Sequence, residues 1–496
     1  MTTIDSTEAA AWVAALVSTT HLIGGRFVPS TADAVIDVVD PGTGRTIGRV
    51  PDGTAEDIDA AVTAAAEAFP AWRDLSASRR AAVLHKWGTL CAEHAEDLAL
   101  LECLEVGRPY QGPASLSSRI IFTAGQADKL TGQSLPTTTP DRLALTLREP
   151  FGVCGCIVPW NAPGALMVSV VAPALAAGNS VVVKPAADAP LTCLFLGELA
   201  LRAGLPPGVL NVVPGGAQAG AALTEHPAVR HLSFTGSTET GTRVMRAAAR
   251  NLVPVHLELG GKSPQIVFDD ANFAQAVPEI VRGLTFNAGQ TCAAGTRVLV
   301  QRGSRDRLVE ALATALAATR LGGWDDEADM GALINRTQQE RVLEHIGNAR
   351  AEGARLVCGG GRPAGERYES GFFVAPTLFD RVDPAMRLAR EEVFGPVLAV
   401  LEFDDLDEAV EIANGTRFGL VATAWTADLG KAVVLARRLE AGQVHINAGR
   451  PGGAIGAPFG GYKQSGFGRT MSADSILEFT QVKSVVLAAA NGVRNG

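Results

Sequence analysis

The sequence has few tyrosines and cysteines for its length, with three tyrosines and seven cysteines among 496 residues. An odd number of scattered cysteines does not form the framework of a disulfide-stabilised secreted protein. Cys154 and Cys156 alternate on a predicted strand, where we expect small buried side chains rather than metal ligands. The eight histidines include no zinc-like pair, because His226 and His231 fall in separate predicted elements. We therefore predict no metal site.

The sequence also has no basic excess and no long apolar run. The formal net charge is −9 and the pI is about 5.5, which excludes a general attraction to nucleic acid or anionic membranes. The apolar patch at residues 9–17 lacks a basic flank and is too short to cross a bilayer. We expect a cytoplasmic protein of two or three domains, with no nucleic-acid or membrane partner.

Strand-like and helix-like segments alternate from Gly152 onwards, which predicts parallel sheets covered by helices. The first series of predicted strands covers residues 153–158, 180–184, 209–213, 231–234 and 255–259. Helices are predicted between them at residues 163–177, 190–203, 217–224 and 238–250. The second series of strands covers residues 265–268, 297–301, 355–358, 397–403, 421–425 and 443–447. Helices at residues 305–319 and 429–439 belong to that second α/β unit.

The remaining segments do not follow this alternation. Residues 1–127 are predicted to be mainly helical after a short extended start. Strands at residues 143–147 and 481–487 have no local partner. Such strands can pair with each other in a small protruding sheet that joins subunits.

A carboxylate and a thiol stand out as candidate catalytic groups. Glu258 ends an apolar predicted strand, and Cys292 follows in a glycine-rich segment. A thiol can attack a carbonyl, and a carboxylate can activate water to release the acyl group. Asn161 ends another strand, where its amide could donate to an oxyanion. Taken singly, each residue also fits a structural role, as an ion-pair partner, a buried small side chain or a turn residue.

Three strand ends in the first series suggest a nucleotide site. Gly236-Ser237 opens a predicted helix, whose backbone N–H groups suit a phosphate, although a plain capped turn fits equally well. Lys184 ends a second strand, and Gly215 follows a third. Ligands bind beyond the carboxyl ends of parallel strands, so the three ends together favour a nucleotide.

Six segments, in order along the chain, resemble the signature segments of the aldehyde dehydrogenase superfamily. They are residues 159–161 (PWN), 234–237 (FTGS), 258–263 (ELGGKS), 289–292 (GQTC), 392–396 (EVFGP) and 458–466 (PFGGYKQSG). The resemblance covers essentially the whole chain. It implies an α/β fold with a Rossmann-like cofactor domain at residues 1–127 and 149–258 and an α/β catalytic domain at residues 259–470. It also implies a small β-arm for oligomerisation at residues 128–148 and 471–496, in a homodimer or homotetramer.

The resemblance also implies residue roles in the oxidation of a small-molecule aldehyde to its acid. Cys292 would attack the carbonyl, Asn161 and the Cys292 backbone N–H would hold the oxyanion, and hydride transfer to NAD(P) would leave a thioacyl enzyme. Glu258 would then activate water to hydrolyse the thioester. The cofactor residues would be Trp160, Lys184, Gly215, Ser237, Glu392 and Phe394.

Two regions depart from the family pattern. Where many NAD-preferring members carry a glutamate after the strand-end lysine, this chain has Ala187, so NADP stays open although we favour NAD. The resemblance places the substrate channel at Ala162, Leu166, Ser169, Phe286, Arg450 and Phe459. The small side chains among them suggest a roomy channel for a bulky or long-chain aldehyde. Arg450 could instead bind a carboxylate, as in semialdehyde oxidation, although we prefer a solvated loop charge.

Three other functions remain as alternatives to a hydrolytic aldehyde dehydrogenase. An acylating, CoA-dependent enzyme is disfavoured by Glu258, because a base that activates water would waste the thioester. A non-catalytic binding protein on the same fold is disfavoured by the joint presence of Cys292, Glu258 and Asn161. The third alternative is a thiol hydrolase or esterase that needs no cofactor.

Overall fold

The computed structural model describes residues 8–113, 116–449 and 456–488. It confirms the expected α/β class, with two large mixed sheets and three small ones of two or three strands. The first half of the chain contains α1 (Ala9–Leu16), β1 (His21–Ile23), β2 (Arg26–Val28), β3 (Val35–Val39), β4 (Thr46–Pro51), α2 (Ala55–Arg73), α3 (Ala77–Glu93), α4 (Ala95–Val106), α5 (Leu116–Ala124), β5 (Ser134–Leu135), β6 (Arg142–Pro150), β7 (Val153–Val158), α6 (Pro163–Ala177), β8 (Ser180–Pro185), α7 (Leu191–Arg202), β9 (Leu210–Val212), α8 (Ala217–Glu225), β10 (Val229–Thr235), α9 (Thr238–Arg250) and β11 (Val255–Glu258).

The second half continues the alternation. Its elements are β12 (Pro264–Val267), α10 (Phe273–Thr285), β13 (Arg297–Gln301), α11 (Arg305–Ala317), α12 (Arg336–Ala351), β14 (Arg355–Cys358), β15 (Thr377–Asp380), α13 (Arg387–Arg390), β16 (Val397–Phe403), α14 (Leu406–Asn414), β17 (Phe418–Gly419), β18 (Val421–Trp425), α15 (Leu429–Arg438), β19 (Gln443–Ile446), β20 (Tyr462–Lys463), β21 (Gly466–Phe467) and β22 (Thr480–Ala488).

The first sheet has eight strands in the order β2-β1-β9-β8-β7-β10-β11-β21. The five strands β9-β8-β7-β10-β11 pair with one another in parallel, as the sequence predicted. All six residues of β8 are buried, which fits an apolar run that helices cover on both faces. Both edges are antiparallel additions, because β1 joins β9 and β21 joins β11.

The amino-terminal region differs from the prediction. Helix α1 comes first, and the extended part that follows contains four strands before the helices α2 to α5 begin. The hairpin of β1 and β2 extends the first sheet through Leu22, which pairs with Val212. Pairing over such a sequence distance leaves no local signal, so the prediction had only a short extended start.

The second sheet has seven strands in the order β14-β15-β16-β13-β12-β18-β19. Its five central strands pair in parallel, in the order β15-β16-β13-β12-β18. Strand β14 is antiparallel at one edge. The chain passes from β11 in the first sheet to β12 in the second within residues 259–263. The carboxyl end of β11 therefore lies at the junction between the two sheets.

The two isolated strands pair with each other, as expected for an arm. Strand β22 runs antiparallel to β6 over nine residue pairs, from Thr480 with Pro150 to Ala488 with Arg142. Strand β5 adds a third, short partner to β6, which the sequence prediction lacked.

The part of the chain that the structure describes contains neither a membrane-spanning helix nor a metal-binding cluster. None of the helices there combines the length and apolar character needed to cross a bilayer. No group of three or more His, Cys, Asp or Glu side chains in those ranges is arranged to hold a metal ion.

Candidate active site

Glu258 is the last residue of β11, at the junction between the two sheets. Its side chain is almost fully buried, and Oε1 lies 3.2 Å from Nε2 of His256 on the same strand. Its second oxygen, Oε2, has no hydrogen-bond partner among the described residues. Burial raises the pKa of Glu258, and the hydrogen bond with His256 opposes that rise. A buried carboxylate with one held oxygen and one open oxygen is suited to accept a proton.

Cys292 follows a short 3₁₀ turn at Phe286–Gly289. Asn287 and Ala288 in that turn both have left-handed backbone angles, with φ of 53° and 52°. The Cys292 backbone passes close to Gly261, where a Cβ would stand 2.6 Å from the Cys292 carbonyl oxygen. The glycine pair after β11 therefore brings the thiol segment against the carboxylate segment.

The surroundings of the Cys292 thiol disfavour its ionised form. Burial raises the pKa of Cys292 to about 12, and the charges of Glu392 and Glu258 raise it further. The backbone N–H groups of Ala293 and Cys292 act in the opposite direction. Because the thiolate is the nucleophile, the site must remove this proton before attack.

Asn161 is anchored to the cysteine segment from both ends. Its side-chain Nδ2 donates to the backbone carbonyl oxygen of Gln290 at 3.0 Å. Its backbone carbonyl oxygen accepts from Asn287 Nδ2 at 2.8 Å. A side-chain amide has two N–H groups, so one remains for a ligand. The network holds the segment after β7 of the first sheet against the segment that carries Cys292.

Glu392 is fixed by the same glycine pair. Its Oε1 accepts from the backbone N–H of Gly261 at 2.9 Å, and a Cβ at Gly260 would collide with its carboxyl group. Burial raises the pKa of Glu392 to about 7. The glycines thus admit a second carboxyl group beside the cavity that contains Glu258.

One cavity of about 170 Å³ connects these groups. Eight of its lining residues were predicted to be site residues: Trp160, Asn161, Leu166, Ser237, Glu258, Cys292, Glu392 and Phe394. The structure therefore brings the predicted nucleophile, base and amide to one place, with four of the six predicted cofactor residues.

Two aromatic rings line the same cavity. Trp160 and Phe394 form an edge-to-face pair with ring centroids 5.3 Å apart. Phe394 has a φ of 55°, an uncommon angle for a bulky residue. Gln338 on α12 holds that backbone, because its Nε2 donates to the Phe394 carbonyl oxygen at 2.8 Å.

The other predicted cofactor residues lie at strand ends of the first sheet. Lys184 is buried, and its Nζ donates to the carbonyl oxygen of Gly215 at 2.9 Å, so these two are in contact although neither lines the cavity. Burial lowers the pKa of Lys184 to about 8. Ser237 is the N-cap of α9 and accepts from Thr240 N at 3.2 Å.

The predicted channel residues lie on several elements. Ala162 precedes α6, Leu166 on α6 lines the cavity, and Ser169 follows one turn later. Phe459 packs with Cys292 against the small cluster of Ala293, Leu420 and Val421. Phe286 lies at the end of α10, and Arg450 falls outside the described residues.

The chain is similar to known proteins over most of its length. Residues 27–485 match the sequence model of the "Aldehyde dehydrogenase family". The chain belongs to the aldehyde dehydrogenase family. It is 43% identical over 471 residues to a betaine aldehyde dehydrogenase of Cereibacter sphaeroides, covering 94% of this chain and 96% of that protein. It is 41% identical over 469 residues to a hydroxyisobutyraldehyde dehydrogenase of Mycolicibacterium austroafricanum, covering 93% and 92%.

A solved structure supports the same assignment. The betaine aldehyde dehydrogenase of Staphylococcus aureus, crystallised with NAD+, superposes with a TM-score of 0.95 at 35% identity, covering 99% of this chain and 98% of that one. The family resemblance and the fold are confirmed, and the chain is an NAD(P)-dependent aldehyde dehydrogenase.

Sequence analysis missed several residues of this aldehyde dehydrogenase site. Gln338 and Arg341 line the cavity from α12, three positions apart on one helical face, but no local motif marks them. His256 had a detectable signal, because residues two apart on a strand point to the same side and His256 must therefore face the same way as Glu258.

Proposed function

We propose that the enzyme oxidises an aldehyde to its carboxylic acid through covalent catalysis by Cys292, with Asn161 as oxyanion donor and Glu258 as general base. One observation carries this proposal. The thiol, the carboxylate and the amide line a single cavity, together with residues that the family resemblance assigns to the cofactor. The substrate carbonyl and the cofactor can therefore meet at the thiol.

Glu258 has two tasks in this scheme. The Cys292 thiol is protonated at neutral pH, so a base must take its proton, directly or through a water molecule. The raised pKa of Glu258 makes its carboxylate a better proton acceptor than an exposed glutamate. After acyl transfer to Cys292, the same carboxylate deprotonates the water that hydrolyses the thioester.

Asn161 stabilises the charge that forms when the thiolate attacks the carbonyl. One of its amide N–H groups is committed to Gln290, which holds the side chain in place, and the second is available to the oxyanion. The backbone N–H of Cys292 supplies a second donor. Donors that are fixed before the reaction lose little free energy in reorganising during it.

The residues around the cavity fit a nicotinamide dinucleotide. Glu392 offers a carboxylate oxygen to a ribose hydroxyl, Ser237 begins a helix whose N–H groups suit a phosphate, and Trp160 and Phe394 form an apolar wall for a ring. Gly260 leaves room where a Cβ would fill the space beside Glu392. The bound nicotinamide supplies the hydride acceptor.

We favour NAD, with NADP as the alternative. No carboxylate is present at Ala187, and the neighbouring Asp188 accepts from Asn335 Nδ2 at 2.8 Å. Asp188 is therefore held towards α12 and is a poor substitute for the missing glutamate. Absence of a negative charge at Ala187 also removes repulsion against a 2′-phosphate.

The small side chains of Ala162 and Ser169 suit a bulky or long-chain aldehyde.

The proposal is tested by the absorbance of reduced cofactor, measured with NAD and with NADP over a panel of aldehydes. Cofactor-dependent reduction without CoA supports hydrolytic oxidation. A requirement for CoA would indicate an acylating enzyme, whereas aldehyde-independent ester cleavage alone would indicate a hydrolase. No activity and no cofactor binding would indicate a non-catalytic protein.

We expect replacement of His256 by leucine to move the acidic limb of the turnover–pH profile to higher pH. His256 Nε2 donates to Glu258 and stabilises its carboxylate, so losing the donor raises the pKa of Glu258 further and leaves less base ionised at a given pH. His256→Gln, which keeps an N–H donor, should restore part of the profile. The matched control is His231→Leu, because His231 packs on Phe151 and Phe479 instead. An unmoved limb in His256→Leu would refute this role.

We also propose a cytoplasmic homo-oligomer, a dimer or tetramer, assembled through the arm of β5, β6 and β22. Apolar side chains on the arm are exposed, including Leu143 at 50%, Leu147 at 43% and Leu487 at 52%. Leu143 and Leu487 are direct cross-strand partners, so they form part of one patch. An exposed patch of this kind is typical of a protein interface.

Replacement of Leu147 by glutamate should lower the molar mass measured by light scattering, since a charge would be buried at the interface. Leu429→Glu is the control, because Leu429 is also an exposed leucine, at 79%, but lies on α15, outside the arm. Equal masses for the two variants and the unmodified protein would exclude the arm as the interface.

A further inference from the structure

Two arginines contact the wall of the predicted substrate channel. Arg119 on α5 donates from Nη1 to Oγ of Ser169 at 3.3 Å. Arg108 lies over the ring of Phe286, with its guanidinium carbon 5.3 Å from the ring centroid. Ser169 and Phe286 are both predicted channel residues, whereas neither arginine belongs to a family signature segment.

The nearby carboxylate is already occupied. Glu102 accepts from Arg108 Nη2 at 3.0 Å through Oε1 and from the backbone N–H of Gly164 at 3.0 Å through Oε2. Arg119 forms no ion pair with any acidic side chain in the described ranges. Outside those ranges the sequence contains only one acidic residue, Asp5. Glu102 and the two arginines together therefore carry one excess positive charge.

The excess charge lies beyond the reacting groups along α6. Leu166 lines the cavity with Cys292, and Ser169 is three residues later on the same face. The rise of an α-helix places Ser169 roughly 9 Å along the axis from the start of α6. On the next turn of α5, Phe122 lies against Gly456. The face of α5 that carries Arg119 therefore points towards the segment that begins at Gly456. Through Ser169, Arg119 therefore lies one helical turn beyond Leu166, which lines the cavity with Cys292.

A partly buried cation without an acidic partner reduces the free energy of unfolding. Burial lowers the pKa of Arg119, and the charge of Glu102 opposes that effect. A guanidinium nevertheless stays protonated at neutral pH. Partly buried cations are usually paired, and an unpaired one at a channel wall indicates a site for an anion that arrives with the ligand.

We infer that the preferred aldehyde carries an anionic group, such as a carboxylate, at the end remote from the carbonyl, and that Arg119 binds this group. The inference rests on the proposed function and specifies its substrate class. Arg119 replaces Arg450 as the candidate anion-binding residue. The same charge repels a quaternary ammonium group, so this site is opposite in character to one that selects a cationic aldehyde.

The test uses three aldehydes of the same chain length that end in a methyl, a carboxylate or a trimethylammonium group. We expect the unmodified enzyme to have the highest kcat/KM for the carboxylate. In Arg119→Gln, kcat/KM for the carboxylate should fall roughly ten- to hundredfold, the range for one charge-assisted hydrogen bond, with the methyl substrate nearly unchanged. Arg119→Lys should keep part of the preference, because it keeps the charge.

Arg49→Gln is the matched control, since Arg49 is an exposed arginine on the β3–β4 hairpin that pairs with Asp37. An equal fall for the methyl and carboxylate substrates in Arg119→Gln would overturn the inference, because it would indicate a structural defect. A lack of carboxylate preference in the unmodified enzyme would also overturn it, while oxidation of the methyl substrate would leave the proposed function intact. Failure to oxidise any of the three would count against the proposed function itself.

Discussion

Replacement of Cys292 by alanine is expected to abolish aldehyde oxidation, with kcat reduced by more than roughly a thousandfold because no other group can form the covalent intermediate. The cavity contains no second thiol, since Cys292 is the one cysteine among its lining residues in the described part of the chain. The variant removes one sulfur atom and should still bind the cofactor. Steady-state kinetics and cofactor titration by fluorescence measure the two effects separately.

The control for this result is Cys358→Ala. Cys358 is half-buried, as Cys292 is, but it lies on β14 at the edge of the second sheet. Its removal should leave turnover close to that of the unmodified enzyme. Residual oxidation in Cys292→Ala above a few per cent, with intact cofactor binding, would show that another nucleophile or a non-covalent route operates.

Replacement of Glu258 by glutamine is expected to separate the two halves of the reaction. The amide keeps the size of the side chain but cannot accept a proton, so hydrolysis of the thioester should slow roughly a hundred- to ten-thousandfold. The first turnover needs only one deprotonation of Cys292, which water or bulk base can assist at high pH. A burst of reduced cofactor should therefore survive better than steady-state turnover, as stopped-flow absorbance will measure.

The pH dependence gives a second signature of the same residue. Burial raises the pKa of Glu258, and only its ionised form can act as a base. Turnover of the unmodified enzyme should therefore fall as the pH drops through that raised pKa, whereas Glu258→Gln should lack this acidic limb. Normal steady-state turnover in Glu258→Gln would remove Glu258 from the mechanism.

Local patterns predicted much of this fold. Helices α6 and α9 have the predicted bounds, because apolar spacing, Pro163 at the start of one and Ser237 before the other mark their ends. Strand β15, which has four buried residues, was missed. Strand β21 was also missed, because its position depends on antiparallel pairing with β11, which is distant in sequence.

The site was predictable where it consists of motifs and unpredictable where it depends on packing. Glu258, Cys292 and Asn161 came from sequence segments, and the structure brings them to one cavity. The contact between Arg119 and Ser169 joins two helices, and no spacing along the chain predicts it. Domain boundaries and individual residue roles remain predictions that depend on the experiments above.

The most direct test of the central claim is the intact mass of Glu258→Gln after mixing with aldehyde and cofactor, followed by rapid acid quenching. The account predicts a mass increase equal to one acyl group, located on Cys292 by peptide mapping and absent when cofactor is omitted. A protein without added mass after a full burst of reduced cofactor, or an acyl group on another residue, would contradict it.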